Sequence, residues 1–467
     1  MANAQLDIKF TTNRLGNQNL VHNNYKFQIK SRRGDRCYWK CSTRNCPATV
    51  NTHNNIPTKV DANHNHPSDR MQLRVDDILQ RMKARCKDEL TAIPTIYEEE
   101  LVKLRDREWN DDTHQLVEHI PTFYSCKDQL YNERHKLIPA LPTTVEDITV
   151  DGEWAQTTTG QPFLLADDNT NGRMLVFSTQ ENLYHLAAAD TIYCDGTFYV
   201  CPTLFYQLYT FHAKVDGTMF PLVYCFLPGK DQQMYTRLLT ILKDICSNFN
   251  ILLQPAKMFL DYEIAIRNAA TSVFPDINIK GCFFHYTQCI WRNAQKHGLQ
   301  TEYNEKGDIH QLVRRAAVLP LLPPNTIEDV WFNALEDIDD SDTTTPTLNF
   351  TDYVTSYWVE NNQSLWNHYA TEGPRTTNHL EGWHSKLKKL VKAAHPNIFS
   401  MISLLRQEEA FHALTLIQYR AGGKRIPRKR KYREIDNSLQ TLKVRLQNDE
   451  LTPVQYGDAA SHLLHID

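Results

Sequence analysis

Two sets of residues in this sequence have types and spacings that can do chemistry. The first is Cys41, Cys46, His64 and His66, spaced C-x4-C-x17-H-x-H. Zinc takes thiolate and imidazole ligands in a tetrahedron, and a closed set of four makes a structural site rather than a reactive one. The plainer alternative is a chance grouping of two cysteines with two surface histidines. The second set is a pair of aspartates, Asp195 in CDGTF and Asp261 in FLDYE, each in or at the end of a strand-like apolar run. Carboxylates suit Mg²⁺ or Mn²⁺, and two such ions about 3.5–4 Å apart activate a water or a 3′-hydroxyl and stabilise the leaving oxygen of a phosphoryl displacement. Holding two ions needs a third acid. On chemistry alone, an aspartate at a strand end is as readily structural.

The elements that must position these residues follow from periodicity. Residues 8–67 carry short β-type runs broken by Asn and Gly and predict a small antiparallel sheet, too small a core to be secure without a metal staple. From Met71 the apolar spacing becomes helical, with Pro94 separating two helices, and a connector extends to about residue 150. After the strands FLLAD and RMLVFST, residues 191–228 hold three strands, with turn signals at Pro202, Asp216-Gly217 and Pro228-Gly229. The helix QMYTRLLTILKDICSNFNI, the strand AKMFLDYE, the helix IAIRNAATSVF and the strand INIKGCFF complete the order βββαβαβ. A mixed sheet of this order can set the Asp195 and Asp261 strands side by side. A helical stretch to about residue 370, with a loop at 339–348, precedes a basic helical segment from His379 to Arg420. The expected fold class is α+β and multidomain: a small zinc-stapled antiparallel β domain, then helices, then a mixed α/β core with a helical insertion.

A length of 467 residues allows about three domains at ~150 residues each. With 41% hydrophobic and 23% charged residues, a mean hydropathy of −0.52 and no apolar run near the ~20 residues of a spanning helix, a membrane protein is not expected. The polar amino terminus MANAQLDIKFTTNR lacks a secretory pattern, so the expectation is an intracellular chain with reduced cysteines. The net charge of −4 hides an uneven distribution. Residues 1–70 hold 11 Lys and Arg against 4 Asp and Glu, and residues 383–433 hold 13 against 2, so the middle of the chain is strongly acidic. Because screening makes phosphate attraction local, two basic ends can bind DNA on an acidic protein; the alternative is solvated surface charge.

The runs YWKC, CPATV and HNHP resemble the FLYWCH-type zinc finger, a relative of the WRKY DNA-binding fold, over roughly residues 8–67. The resemblance implies zinc on Cys41, Cys46, His64 and His66 and DNA contact by a sheet edge. Cys37 falls outside the pattern as a free thiol. Lys30, Arg32, Arg33, Arg36, Lys40 and Arg44 are the candidate phosphate contacts. The stretch from FLLAD through CDGTF to MFLDYE and GCFFHYTQCIWR closely resembles the transposase domain of Mutator-like elements, well over residues 163–300 and more loosely to 420. That resemblance implies a ribonuclease-H-like fold with an Asp, Asp, Glu triad that binds magnesium or manganese, whose first two members are Asp195 and Asp261. The third follows a helical insertion. In RTTNHLEGWHSKLKK it is assigned to Glu381, in the first turn of a helix capped by Thr377 or Asn378, ahead of Glu372 and Glu360, neither of which opens a basic helix; the other reading of Glu381 is a carboxylate favoured there by the helix dipole. The family's C-x2-H pair is matched by Cys282 and His285, either a helper near the site or a packed thiol and histidine.

These readings divide the chain into a finger (8–67), a helical connector (71–150), a ribonuclease-H-like core with the first two acids (160–300), a helical insertion (301–370), core helices with the third acid (371–420) and a basic segment and tail (421–467). No cysteine follows Cys289, unlike relatives with a carboxy-terminal SWIM-type finger, so DNA recognition would fall to the amino-terminal finger and to the basic carboxy-terminal region. That region includes Lys386, Lys388 and Lys389 and the segment KRIPRKRKYR, with Arg428, Lys429, Arg430 and Lys431, which reads as a nuclear localisation signal or a phosphate-binding arm. The leading expectation is a nuclear, transposon-derived transposase that binds double-stranded DNA at transposon ends, as a homo-oligomer in one version. The alternatives are a domesticated, catalytically silent DNA-binding regulator and, more weakly, an RNA-directed nuclease of the same fold.

Overall fold

The computed structural model describes residues 8–12, 17–89, 91–136, 139–339, 342–391, 393–425, 427 and 429–464. The chain divides into two compact units, 1–140 and 141–467. In the first, six strands form an antiparallel meander in sequence order: β1 (Ile8–Thr12), β2 (Gln18–His22), β3 (Tyr25–Arg33), β4 (Arg36–Cys41), β5 (Thr49–His53) and β6 (Ile56–Asp61). Two of the hairpins turn on Asn-Asn pairs, Asn23-Asn24 and Asn54-Asn55, all four with positive φ as the tight primed turns require. Alternation along β4 and β5 sends Cys37, Trp39, Cys41, Val50 and Thr52 inward while Arg36 and Lys40 stay exposed. The indole of buried Trp39 donates to Thr52 Oγ1 at 3.0 Å, so the largest core side chain leaves no polar atom orphaned.

Helices Arg70–Asp88, Ile93–Val102, Asp111–His119 and Phe123–His135 complete this unit around Val75, Ile78, Met82, Ile96, Leu116 and Leu130. Pro94, expected between two helices, lies in the first turn of the second, where its missing N–H is no loss. Glu100 is buried at 1% exposure, with Lys103, Arg85 and Arg81 at 2.5, 3.0 and 3.3 Å.

The second unit is built on a seven-stranded mixed sheet. Its strands are β7 (Leu164–Asp168), β8 (Met174–Phe177), β9 (Thr191–Thr197), β10 (Gln207–Val215), β11 (Thr218–Leu227), β12 (Lys257–Leu260) and β13 (Asn278–Gly281), in the order β13-β12-β9-β10-β11-β8-β7. From β9 to β7 neighbours are antiparallel; β12 runs parallel to β9, and β13 parallel to β12. Strands β10 and β11 are buried along nearly their whole length, as central strands covered on both faces are. Helices Gln232–Asn248 and Ile264–Val273 make the crossovers to β12 and β13. The first is capped by the Asp231 carboxylate, which accepts from Met234 N at 2.9 Å.

A second core forms around Trp331, Trp358, Trp366 and Tyr286, from the helices between residues 283 and 366. Residues 430–461, expected as a basic segment and tail, are folded. Helices Arg430–Gln447 and Pro453–Ser461 add Leu439, Tyr456 and Ala460 to that second core. Buried Arg315 fastens them by a forked pair of bonds to Asp458 at 2.7 and 2.9 Å. Among the described residues no helix is long and apolar enough to cross a membrane.

The Glu100 network makes stability depend on pH. Burial by itself pushes the Glu100 carboxyl up, but Lys103, Arg85 and Arg81 outweigh it and hold the group below the ordinary carboxylate range. Its contribution is present above the unfolded value of about 4.3 and is lost as pH falls through the folded one. Glu100→Gln should therefore destabilise the protein by about 1–3 kcal/mol at pH 7, and the gap to wild type should be smaller at pH 3, below the unfolded value. Urea unfolding at the two pH values measures both; an equal gap at pH 3 would show that the contribution is not ionic.

Candidate functional site

In the first unit, Cys41 at the end of β4, Cys46 in the following turn, and His64 and His66 after β6 bring one donor atom each to within 4.8 Å of one another. Cys41 Sγ lies 3.2 Å from His66 Nε2 and Cys46 Sγ 3.4 Å from His64 Nδ1. Such separations suit four ligands around one ion with bonds of about 2.0–2.3 Å. His66 Nδ1 donates to the Pro67 carbonyl at 2.7 Å, which leaves Nε2 as the ligand atom. Tyr25 stacks on His64 with centroids 3.5 Å apart. Burial raises the Cys41 thiol; at Cys46 it acts in the same direction but is outweighed by backbone donors at Ala48 and Asn65, which lower that thiol. The donor set, closed and held by the Pro67 carbonyl and the Tyr25 ring, fits structural zinc. Cys37 lies apart from it, buried, and accepts from Arg32 Nε at 3.0 Å.

The candidate phosphate contacts of this unit stand on its exposed rim. Arg32, Arg33 and Arg36 flank the β3–β4 turn, and Lys30 is the extra residue of a β-bulge between the Ile29↔Trp39 and Ser31↔Tyr38 pairs. Lys30, Arg32, Arg33, Arg36, Lys40 and Arg44 are all exposed.

In the second unit the sheet sets the two aspartates side by side. The parallel register pairs Phe259 with Tyr193, and two residues further along are Asp261 and Asp195. Side chains two apart share a face, so each aspartate follows an aromatic ring on its own face, and Tyr193 and Phe259 stack with centroids 4.9 Å apart. Leu380, fully buried, packs on both rings. Its neighbour Glu381, in the first turn of helix Asn378–Val391, stands near enough to Asp195 for the two charges to act on each other. The structure thus gathers Asp195, Asp261 and Glu381 from a strand, a strand end and a helix start. Gly196, next to Asp195, gives the buried Gln207 its room: a Cβ there would stand 2.3 Å from Gln207 Oε1 and displace that side chain. Its N–H donates to Asp195 Oδ1 at 2.9 Å.

Two histidines stand among the acids. His285 Nε2 lies 3.6 Å from Glu381 Oε1, and His384 Nδ1 lies 3.5 Å from Asp195 Oδ2. Burial pushes Asp195 up to about 7; Asp261 and Glu381 add to the shift and the His285 charge opposes it. Burial also raises Glu381, again against His285. At His285 burial disfavours the charged form, but the nearby Cys282 sulfur and the carboxylates of Asp195 and Asp261 prevail, and its pKa is pushed up to about 9. Burial alone drives His384 down to about 4. His285 Nδ1 and His384 Nε2 are buried without a hydrogen-bond partner. Half-buried carboxylates gathered this way are matched in charge and donor type by a divalent cation.

Sequence alone assigns His384 no role, although its i,i+3 spacing from Glu381 on one helix signals a shared face. Glu263 is missed altogether. Its N–H donates to Asp261 Oδ1 at 3.1 Å, and its carboxylate accepts from Tyr235 at 3.3 Å. Thr377 precedes the Glu381 helix, but its hydroxyl bonds Cys282 Sγ instead of capping.

The other basic candidates differ in freedom. Lys386 is committed to buried Glu408 at 2.5 Å, Lys388 lies 4.5 Å over the Tyr199 ring, and Lys389 is exposed. Lys429 and Lys431 are exposed, Arg430 pairs with Glu434 at 2.6 Å, and Arg428 lies outside the described residues.

Comparison with known families finds two matches. Residues 191–289 match the model of the MULE transposase domain, a span that holds Asp195, Asp261, Cys282 and His285 and ends before Glu381. Residues 10–66 match the FLYWCH zinc finger domain, a span that holds all four zinc-type ligands. No curated protein matches the chain. The two matches agree with the resemblances drawn from the sequence, and together they support a DNA-binding protein of transposon origin.

The purified protein should carry one zinc ion per chain at the Cys/His set. Cys41→Ser or His66→Ala should abolish it, and a strong chelator should lower the stability of the wild-type finger. Metal analysis and thermal unfolding test this; unchanged zinc content in either variant would remove the assignment.

Proposed function

We propose that this chain, with its FLYWCH finger and MULE transposase domain, is a DNA transposase: the finger binds DNA at transposon ends, and the acid site cuts it and transfers the strand. The observation that carries the reading is that Asp261 and Glu381 both stand within charge-interaction range of Asp195, from positions scattered over nearly two hundred residues. A DNA-binding regulator without chemistry needs none of the three. The strand order, with the antiparallel run through β10 and β11 on one side of β9 and the two parallel strands β12 and β13 on the other, supports a ribonuclease-H-like core. The zinc-stapled antiparallel meander with its basic rim supports a WRKY-like mode of DNA contact.

Asp195, Asp261 and Glu381 would hold Mg²⁺ or Mn²⁺, which when bound supplies a Lewis acid and a more acidic water or 3′-hydroxyl. The chain's own part is placement. The sheet fixes the aspartates, the Leu380 contact fixes the helix that brings the glutamate, and burial keeps bulk water from Asp195. Phosphate contacts by the basic rim and the carboxy-terminal lysines position the duplex without reading its sequence. The exposed segment around Lys429 and Lys431 serves as a phosphate arm, a nuclear localisation signal, or both.

Asp195→Asn, Asp261→Asn and Glu381→Gln keep shape and remove charge, so each should lower cleavage of transposon-end DNA by at least about 10³-fold with DNA affinity retained. Cleavage that persists in all three would refute the reading. The salt dependence should distinguish the basic residues, since each phosphate contact contributes a slope of about −0.9 in log affinity against log salt. Lys429→Gln with Lys431→Gln should flatten the slope, whereas Lys386→Gln should leave it nearly unchanged because that charge is spent on Glu408. Binding titrations between 50 and 200 mM salt read both.

A further inference from the structure

The first two acids are fixed by the sheet, but Glu381 arrives after a long helical excursion, and the structure shows what returns the chain to register. Residues 364–377, which lead into the Glu381 helix, are tied along the end of β13 and the residues after it. Lys280 Nζ donates to the carbonyls of Ser364 and Asn367 at 2.6 and 3.1 Å. His368, buried and pushed down to about 3, is neutral; its Nε2 donates to the Gly281 carbonyl at 2.9 Å, and its ring lies parallel to that of Phe259. Phe283 N–H donates to the Arg375 carbonyl at 2.9 Å. The last tie is the closest to the site. The N–H and the hydroxyl of Thr377 both bond Cys282 Sγ at 3.2 Å, with both residues fully buried. Cys282 is itself located by its N–H bond to the Leu260 carbonyl at 2.8 Å, next to Asp261. Three residues on, in the first turn of helix Phe283–Lys296, His285 reaches Glu381 Oε1.

We propose that Cys282 and His285 are positioning residues for the third acid: the Cys282 sulfur latches the start of the Glu381 helix to the residue before Asp261, and His285 holds the carboxylate that the latch delivers. This rests on the function proposed above. It gives the C-x2-H spacing a physical reason. The cysteine sits at the N-cap, where its sulfur faces the incoming chain, and the histidine one turn later faces the carboxylate that this chain brings. Thiol sulfur accepts two donors at a distance that a serine oxygen reaches only in part, so the two residues are not equivalent there.

The test uses the full-length protein with Mn²⁺ as the probe, read by calorimetric titration and by the Mn²⁺-induced rise in Tm, with cleavage as a second readout. Cys282→Ala should weaken Mn²⁺ affinity about 10- to 100-fold, the usual effect of removing an outer-shell partner, and Cys282→Ser should recover part of that loss. Thr377→Val, which removes the hydroxyl and keeps the volume, should act in the same direction and carries the test if the cysteine variants fail to fold. Cys246→Ala, in an equally buried position of the same unit but away from the site, should lower Tm without changing Mn²⁺ affinity. In a Glu381→Gln background, Cys282→Ala should change Mn²⁺ affinity by less than about twofold, because the residue it serves is already gone. Glu381→Gln losing affinity while Cys282→Ala, Thr377→Val and His285→Asn keep it would overturn the proposal and spare the function. A wild-type protein that binds no Mn²⁺ would overturn the function and the proposal with it.

Discussion

Three carboxylates set close together and partly out of water repel one another and lose hydration, and the architecture of the larger unit is arranged around that penalty. It is visible in the acids themselves, with Asp195 pushed up to about 7 by burial and by its acidic neighbours. The fold does not relieve it by moving the acids apart. The parallel pairing of β12 with β9 keeps the aspartates adjacent, and Leu380 seated on Tyr193 and Phe259 keeps the glutamate over them. The protein's own relief is partial: His285 carries the compensating positive charge, while burial keeps His384 neutral beside Asp195. A structural acid cluster would be neutralised by nearby Arg or Lys, as Glu100 is by three cations in the other unit. Here the positive partner is a single histidine that can give up its proton, which leaves room for a stronger cation.

The two units therefore use metal-type residues in opposite ways. The Cys/His set is closed, with all four donors within 4.8 Å and its ring nitrogens oriented by Pro67 and Tyr25, in a sheet whose core of Leu20, Phe27, Trp39 and Val50 is small. There a bound ion acts as folding free energy. The acid site draws its residues from elements already fixed by a large core, so the cation proposed there would add chemistry more than fold.

How much of this the sequence discloses depends on how local each signal is. The strands over 191–228, the βββαβαβ order and the adjacency of Asp195 and Asp261 follow from period-2 runs and turn residues, all read within a few positions. The zinc ligands are legible for the same reason. The helices over 430–461 are hidden because the basic residues at their start dominate the composition, while the apolar residues that dock them, Leu439, Tyr456 and Ala460, are widely spaced. The cap of the Glu381 helix is misjudged in its chemistry. Thr377 stands where a capping residue would, but a buried sulfur ninety-five positions earlier competes for its hydroxyl, and no local pattern carries that information. The return path through His368 and Arg375 is illegible for the same reason: its bonds are to main-chain carbonyls, which any sequence supplies.

The same long-range contacts reshape the electrostatic reading. Counting charges along the chain makes the Lys386–Lys389 group a uniform basic stripe, but the contacts divide it. Lys386 faces Glu408, which also accepts from Trp383 Nε1 at 2.9 Å, so it fastens the Glu381 helix to helix Ile398–Arg420 and presents little net charge to solvent. Lys388 lies seven residues beyond Glu381, two turns along one face and about 10 Å away, over Tyr199 in the loop that leaves β9 after Asp195. Lys388 thus lies on the same side of the helix as Glu381, with its ammonium against the Tyr199 ring. The helix that the sulfur of Cys282 contacts at its start accordingly carries both Glu381 and Lys388, so a shift of that start moves the carboxylate and the ammonium together.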